Sequence, residues 1–226
     1  MDQRLTEIRK EKTNNYLLPF FWQHEGHTEA LPKEIQKIWE SGCRAFCVES
    51  RPYEDFCGPK WWADMKIILE EAKKRDMKVW ILDDKHFPTG FANDLVRQKY
   101  PERRRWYLRE HHVDVLGPMK GASLLIPPCE EEETLLSVCA YRRTGKEEEL
   151  TGEPILFSIP TGSRFLCFHV PEGCWRVFFI FQTRKGSSPG REYYIDMLSR
   201  ESVQVLMEAV YEPHYEHFQE YFGSTL

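Results

Sequence analysis

Three apolar runs that each break off in charged residues constrain this chain more than any other feature. Residues 17–22 (Leu-Leu-Pro-Phe-Phe-Trp) lead into Gln23, His24, Glu25, Gly26 and His27. Residues 44–50 (Arg-Ala-Phe-Cys-Val-Glu-Ser) lead into Arg51, and residues 78–83 (Lys-Val-Trp-Ile-Leu-Asp) lead into Asp84, Lys85 and His86. Two stretches of helical spacing separate them. In residues 32–41, Ile35, Ile38 and Trp39 recur at that spacing, with Pro32 in the first turn and Gly42 as a stop. In residues 61–75, Trp62, Met65, Leu69 and Ala72 share a face. The pattern predicts β-α-β-α-β with short connections. The runs are apolar throughout instead of alternating, which is how parallel strands covered on both faces read. Right-handed crossovers then carry all three strand ends to one side. His24 and Glu25, Glu49 and Arg51, and Asp83 and His86 are thus expected to converge on one rim.

Beyond residue 104 the pattern changes. Short β-rich runs at 106–115, 123–126, 135–142, 155–159, 165–170 and 175–182 are separated by turn residues. Residues 171–174 (Pro-Glu-Gly-Cys) read as a hairpin turn, and the acidic stretches 130–133 and 146–149 as solvated loops. Residues 185–190 read as a flexible return linker, after which Asp196 comes back to the rim. Residues 199–222 then predict one long amphipathic helix, capped at Ser199 and kinked or split by Pro213. Residues 1–15 read as a polar lead-in. The expected organisation is a first part of a parallel β/α barrel at 1–103, an antiparallel β insertion at 104–185, and a return segment with a long barrel helix at 186–226.

Composition narrows the function classes. A net charge of −5 argues against a nucleic-acid partner, because phosphate binding needs a basic face. The longest apolar stretch, residues 177–181, is strand-sized, and the start of the chain is polar, so no membrane partner is expected. Seven cysteines, an odd number with no Cys-x-x-Cys pair, point to reduced thiols and a cytoplasmic location. The aromatic share of 14% suits a packed core first and sugar stacking second.

Three segments in order carry a resemblance. Residues 18–25 (Leu-Pro-Phe-Phe-Trp-Gln-His-Glu), residues 40–51 (Glu-Ser-Gly-Cys-Arg-Ala-Phe-Cys-Val-Glu-Ser-Arg) and residues 79–92 (Val-Trp-Ile-Leu-Asp-Asp-Lys-His-Phe-Pro-Thr-Gly-Phe-Ala) resemble bacterial glycoside hydrolases of the α-L-rhamnosidase-like type and their relatives. Residues 194–203 resemble the segment that re-enters the barrel in that group. The resemblance implies an α/β fold, namely an incomplete (β/α)8 (TIM-type) barrel of about three strand-helix units with an antiparallel β insertion after the third strand. It implies action on a glycosidic bond through paired carboxylates. Asp84-Lys85-His86-Phe87 departs from the family pattern, which has Glu and Tyr there. The later acidic strands of that barrel have no counterpart in the chain. The expectation is therefore a fragment lacking at least one catalytic carboxylate, weakly active or inactive. Its open sheet edge would be covered by a second copy or by the remainder of a larger barrel.

Glu49 and Asp83 are the expected catalytic residues. Glu49 could be a general acid, a ligand for sugar hydroxyls or a partner of Arg51. Asp83 could bind a hydroxyl or cap the turn that follows it. Trp22, His24, Glu25, Arg51, Asp84, His86 and Asp196 are the expected substrate-binding residues. Trp80 could stack on a sugar, but its place inside a strand favours core packing. His24 to His27 lacks the helical spacing of a zinc motif, His214 and His217 lack a third ligand, and neighbouring His111 and His112 point to opposite faces. Neither a metal nor a cofactor is expected. Two rivals stand beside the hydrolase: a non-catalytic carbohydrate-binding or interaction module, and a metal-dependent hydrolase using the histidines.

Overall fold

The computed structural model describes residues 17–144 and 149–226, together with Gln3, Leu5, Thr6 and Lys10. Most of the expected lead-in at 1–15 and of the expected loop at 146–149 lies outside the described residues. The chain divides into two compact units, Met1–Arg104 with Tyr193–Leu226, and Arg105–Glu192.

In the first unit the three apolar runs form strands β1 (Phe20–Gln23), β2 (Ala45–Ser50) and β3 (Lys78–Ile81), parallel and in the order β1-β2-β3. Helices α1 (Leu31–Glu40) and α2 (Pro59–Lys74) connect them, each with a proline in its first turn. There the proline's fixed backbone angle suits the helix and its missing N–H leaves nothing unsatisfied. A short α3 (Leu95–Gln98) follows β3. The chain returns as α4 (Arg200–Leu206), a π-helical turn (Met207–Tyr211) and α5 (Glu212–Phe218).

The expected barrel does not form. The parallel sheet ends at three strands, and the antiparallel strands make a sheet of their own. Three strands cannot supply the tilt and stagger that closure needs, and after β3 the chain returns as helix, not as strand. The helix expected at 199–222, kinked or split by Pro213, forms as contiguous helical turns from Arg200 to Tyr221 with an interruption next to that proline. Ser199 caps α4 by accepting the Ser202 N–H at 3.3 Å, as anticipated. The wider π turn interrupts the helix just before Pro213, which has no N–H to give.

Strand alternation separates the two faces of the sheet. Phe46, Val48 and Val79, with Phe21 and Ile81 packed against them, join a buried cluster with Leu31, Ile35, Trp61, Met65, Ile68, Leu69, Leu206 and Val210. The opposite face carries Phe20, Trp22, Cys47, Glu49 and Trp80, aligned by the pairing of Phe20 with Cys47, Trp22 with Glu49, and Cys47 with Trp80. Continuous apolar strands predict cover on both faces, and the central β2 is indeed buried throughout, Ala45, Cys47 and Glu49 included. On the flanking strands, however, Phe20 is 61%, Trp22 55% and Trp80 61% exposed. Trp80 is therefore not a core residue.

The second unit is one antiparallel sheet of β4 (Tyr107–Leu125), β5 (Thr134–Arg143), β6 (Leu150–Phe157) and β7 (Phe165–Thr183), in the order β4-β7-β5-β6. The expected hairpin at 171–174 lies inside the 19-residue β7 instead. The sheet bends there. Gly117 of β4 pairs with Gly173, and the register slips on either side of Met119. A Cβ at Gly117 would overlap the Pro171 carbonyl, so glycine admits the close crossing. Val138, Ala140, Leu166, Val177, Phe179 and Phe181 form this unit's core.

Candidate functional site

The uncovered face gathers the groups best placed to meet a ligand. Glu49 lies beside Trp22 in the sheet register. Its side chain is 4% exposed, and its Oε1 accepts the Arg51 guanidinium at 2.6 Å. That guanidinium also stands over the Trp22 ring, 5.1 Å from the centroid, a stacking that cations and indoles favour. Trp80 lies two strands away on the same face; strand spacing and rise put its Cα about 12 Å from that of Trp22. Cys47 sits between them. Its thiol is pushed above the usual range by burial first, then by the negative charges of Glu49 and Asp83. Both carboxylates are thus felt at one sulfur.

At the end of β3 the two aspartates do different things. Asp83 Oδ1 accepts the Thr89 hydroxyl and Oδ2 accepts the Tyr211 hydroxyl. Tyr211 is delivered by the π turn, and burial together with that bond raises its phenol well above the ordinary range. Asp84 is fully buried. It accepts backbone N–H groups of Gly90 at 2.9 Å, Ala92 at 2.8 Å, Asn93 at 2.8 Å and Lys85 at 2.7 Å. Ala92, Asn93 and Asp94 all adopt left-handed backbone angles, which cost side-chain-bearing residues energy. The Asp84 carboxylate compensates that strain. Gly90 completes the turn: its φ is +134°, and a Cβ there would overlap the Tyr194 ring. The Asp-Lys-His-Phe-Pro-Thr-Gly-Phe-Ala segment is thus a self-supporting loop whose buried anchor is Asp84.

The other expected site residues scatter. Glu25 pairs with Lys60 and accepts the N–H groups of Glu54 and Asp55. The Lys60 bond holds its carboxyl below the usual range. It lines a separate cavity of about 620 Å³ with Thr28, Tyr53 and Asp64. Buried Asp64, unremarked in the sequence, accepts Gln23 at 2.8 Å, Thr28 at 2.7 Å and Tyr53 at 2.8 Å, fastening β1 to α2. His24 is exposed beside His27. His86 is exposed, 6.0 Å from Phe91. Asp196 accepts the Leu198 N–H in a local turn. Of the expected set, Trp22, Glu49 and Arg51 are brought together, while Asp83, just past the end of β3, is bound to Thr89 and Tyr211. Tyr211 and Thr89 were missed. Thr89 lies within the quoted motif, whereas Tyr211 is 128 residues from Asp83 in sequence and left no local signal.

His214 and His217 serve packing. Buried His214 accepts the Trp61 indole N–H at 2.9 Å on Nε2 and gives its Nδ1 proton to Val210 O at 2.6 Å. Burial lowers its pKa from 6.5 to about 4. Cys57 Sγ lies 4.0 Å from that Nδ1, but a nitrogen already donating cannot take the thiol proton, and burial pushes the thiol up to about 12. This pair is not an activated nucleophile. His217 stacks on Trp62. Among the described residues no group of three or more His, Cys, Asp or Glu side chains is placed to hold a metal. Among them, too, no helix is long and apolar enough to cross a membrane. Comparison with protein-family models, curated proteins and solved structures returned no match.

Proposed function

We propose that the uncovered face of the parallel sheet binds carbohydrate without cleaving it. One observation carries this reading: two indoles, each more than half exposed, share a face with an ion-paired Glu49 and Arg51 between and beside them. Parallel sheets ordinarily have both faces covered, and a large exposed aromatic patch marks a surface meant for contact. Pyranose rings present apolar C–H faces to indoles and hydroxyls to charged edges. Arg51 can donate to a hydroxyl and Glu49 can accept from one. Hydrolysis needs more: a carboxyl group that gives a proton and a second that attacks or activates water. Asp83 already accepts a hydroxyl on each oxygen, and Glu49 is tied to a guanidinium. Both are suited to accepting hydrogen bonds.

Hydrolysis through Glu49 and Asp83 is the second reading. The observation in its favour is that both carboxylates raise the Cys47 thiol pKa, Glu49 from β2 and Asp83 from just past the end of β3. The free thiols support a reducing compartment, for which we propose the cytoplasm. The test is calorimetric titration with a panel of soluble oligosaccharides beside a panel of chromogenic glycosides. Binding that weakens in Trp22→Ala and Trp80→Ala, without turnover, supports the module. Turnover that disappears in Glu49→Gln favours the hydrolase. Neither binding nor turnover with any sugar removes both readings.

A further inference from the structure

β3 is an edge strand, and its outer edge is only partly used. The Lys78 N–H donates to Arg44 O at 2.9 Å and the Leu82 N–H to Val48 O at 2.8 Å, both toward β2. The alternate residues Val79 and Ile81 therefore turn their backbone groups outward. The Val79 N–H is taken by Thr225 O at 2.7 Å, from the chain's own C-terminal segment. Among the described residues nothing meets the N–H or C=O of Ile81. The edge thus already accepts one carbonyl from a segment outside the sheet, and the next rung is open.

That edge looks into a groove of about 860 Å³. Met207, Val210, Tyr211, Tyr215 and Phe222 line it together with the strand. Tyr215 and Phe222 are 54% and 43% exposed. The charge in the groove is acidic. The Lys78 ammonium is bound to the Ser224 carbonyl, whereas Glu212 and Glu216 have no cationic partner among the described residues.

We propose that the β3 edge and this groove bind an extended peptide segment of another protein. The segment adds a strand beside β3, pairs with the Ile81 backbone, lays apolar side chains against Tyr215 and Met207, and sets a basic side chain by Glu212 and Glu216. Strand addition to an exposed edge takes its affinity from main-chain hydrogen bonds and its specificity from alternate side chains. A compact apolar molecule would use the apolar lining and leave the open rung unpaired. The groove shares Trp80 and Asp83 with the carbohydrate reading, but main-chain pairing uses the sheet's edge and not Trp22, Glu49 or Arg51, so an N-methyl series of peptides tests it separately.

The full chain is selected against a displayed library of random decapeptides, and enriched sequences are remade as synthetic peptides for calorimetry. Enriched peptides should alternate apolar residues and carry a Lys or Arg. N-methylation at the backbone nitrogens facing β3 should weaken binding by roughly tenfold, the effect of losing one hydrogen bond, while methylation at the intervening nitrogens should not. Glu212→Gln with Glu216→Gln should weaken binding severalfold. The N-methyl series leaves the protein untouched, so it cannot be confused with misfolding. No enriched sequence, or binding indifferent to N-methylation, overturns the proposal.

Discussion

The two faces of the parallel sheet come from the same three strands yet have opposite surroundings. On one, Phe46, Val48 and Val79 are at most 2% exposed beneath helices. On the other, Phe20, Trp22 and Trp80 are each more than half exposed. An apolar residue contributes to stability only by leaving water. The first face therefore holds the unit together, while the second keeps aromatic surface available for a partner. Mutations can test that division directly.

The largest contrast should come from tryptophan. Trp61 is fully buried and makes edge-to-face or tilted contacts with Tyr53, Phe56 and His214. Trp61→Ala should destabilise the chain by about 4 kcal/mol in urea unfolding, the range for deleting a large core aromatic. Trp22→Ala or Trp80→Ala should change stability by less than about 1 kcal/mol. Equal losses at Trp61 and Trp22 would break the division between the faces.

Acid should act next, through the covered side. The His214 pKa is about 4 in the fold against 6.5 for the free side chain, so the unfolded chain binds the extra proton between those values. Its contribution is complete above about pH 6.5 and is lost as pH falls toward 4. The loss is on the order of 3 kcal/mol. Denaturation followed across this window should show the decline, and His214→Asn should flatten it. Asp114 in the second unit is held low by Arg176 and Arg143, so its contribution should be lost only at lower pH, as the pH falls through its folded pKa.

Smaller effects separate the carboxylates. Asp84→Asn turns an amide toward backbone donors that need an acceptor, and should cost roughly 2–3 kcal/mol of stability. Tyr211→Phe removes a single hydroxyl bond to Asp83 and should cost about 1 kcal/mol. If Asp84→Asn proved as mild as Tyr211→Phe, the loop's dependence on its buried anchor would be wrong.

The strands β1 to β3 and the helices between them were legible because hydrophobic period and proline position are local signals. The strand expected at 44–50 is Ala45–Ser50, and the helix expected at 61–75 is Pro59–Lys74. What misled was inference beyond neighbours. Continuous apolar runs read as doubly covered strands, which holds for β2 but not for β1 and β3; nothing local reports which helices return to which face. Pro171 and Gly173 read as a turn, because a bend within a long paired strand uses the same residues. Trp22, Glu49, Arg51 and Asp83 could be named from strand ends. Tyr211 could not, since only the π turn and the return of the C-terminal helix bring it to Asp83. Asp84 was read as a substrate ligand because a buried anchor and an exposed ligand are written with the same residue.

The open face as a carbohydrate platform is tested most directly by the indole N–H resonances of the seven tryptophans, followed as oligosaccharides are added. The account predicts saturable shifts at Trp22 and Trp80, with Trp61, bonded to His214, unmoved. Resonances of Trp22 and Trp80 that stay fixed with every saccharide, or shifts that arise only at other indoles, would contradict it.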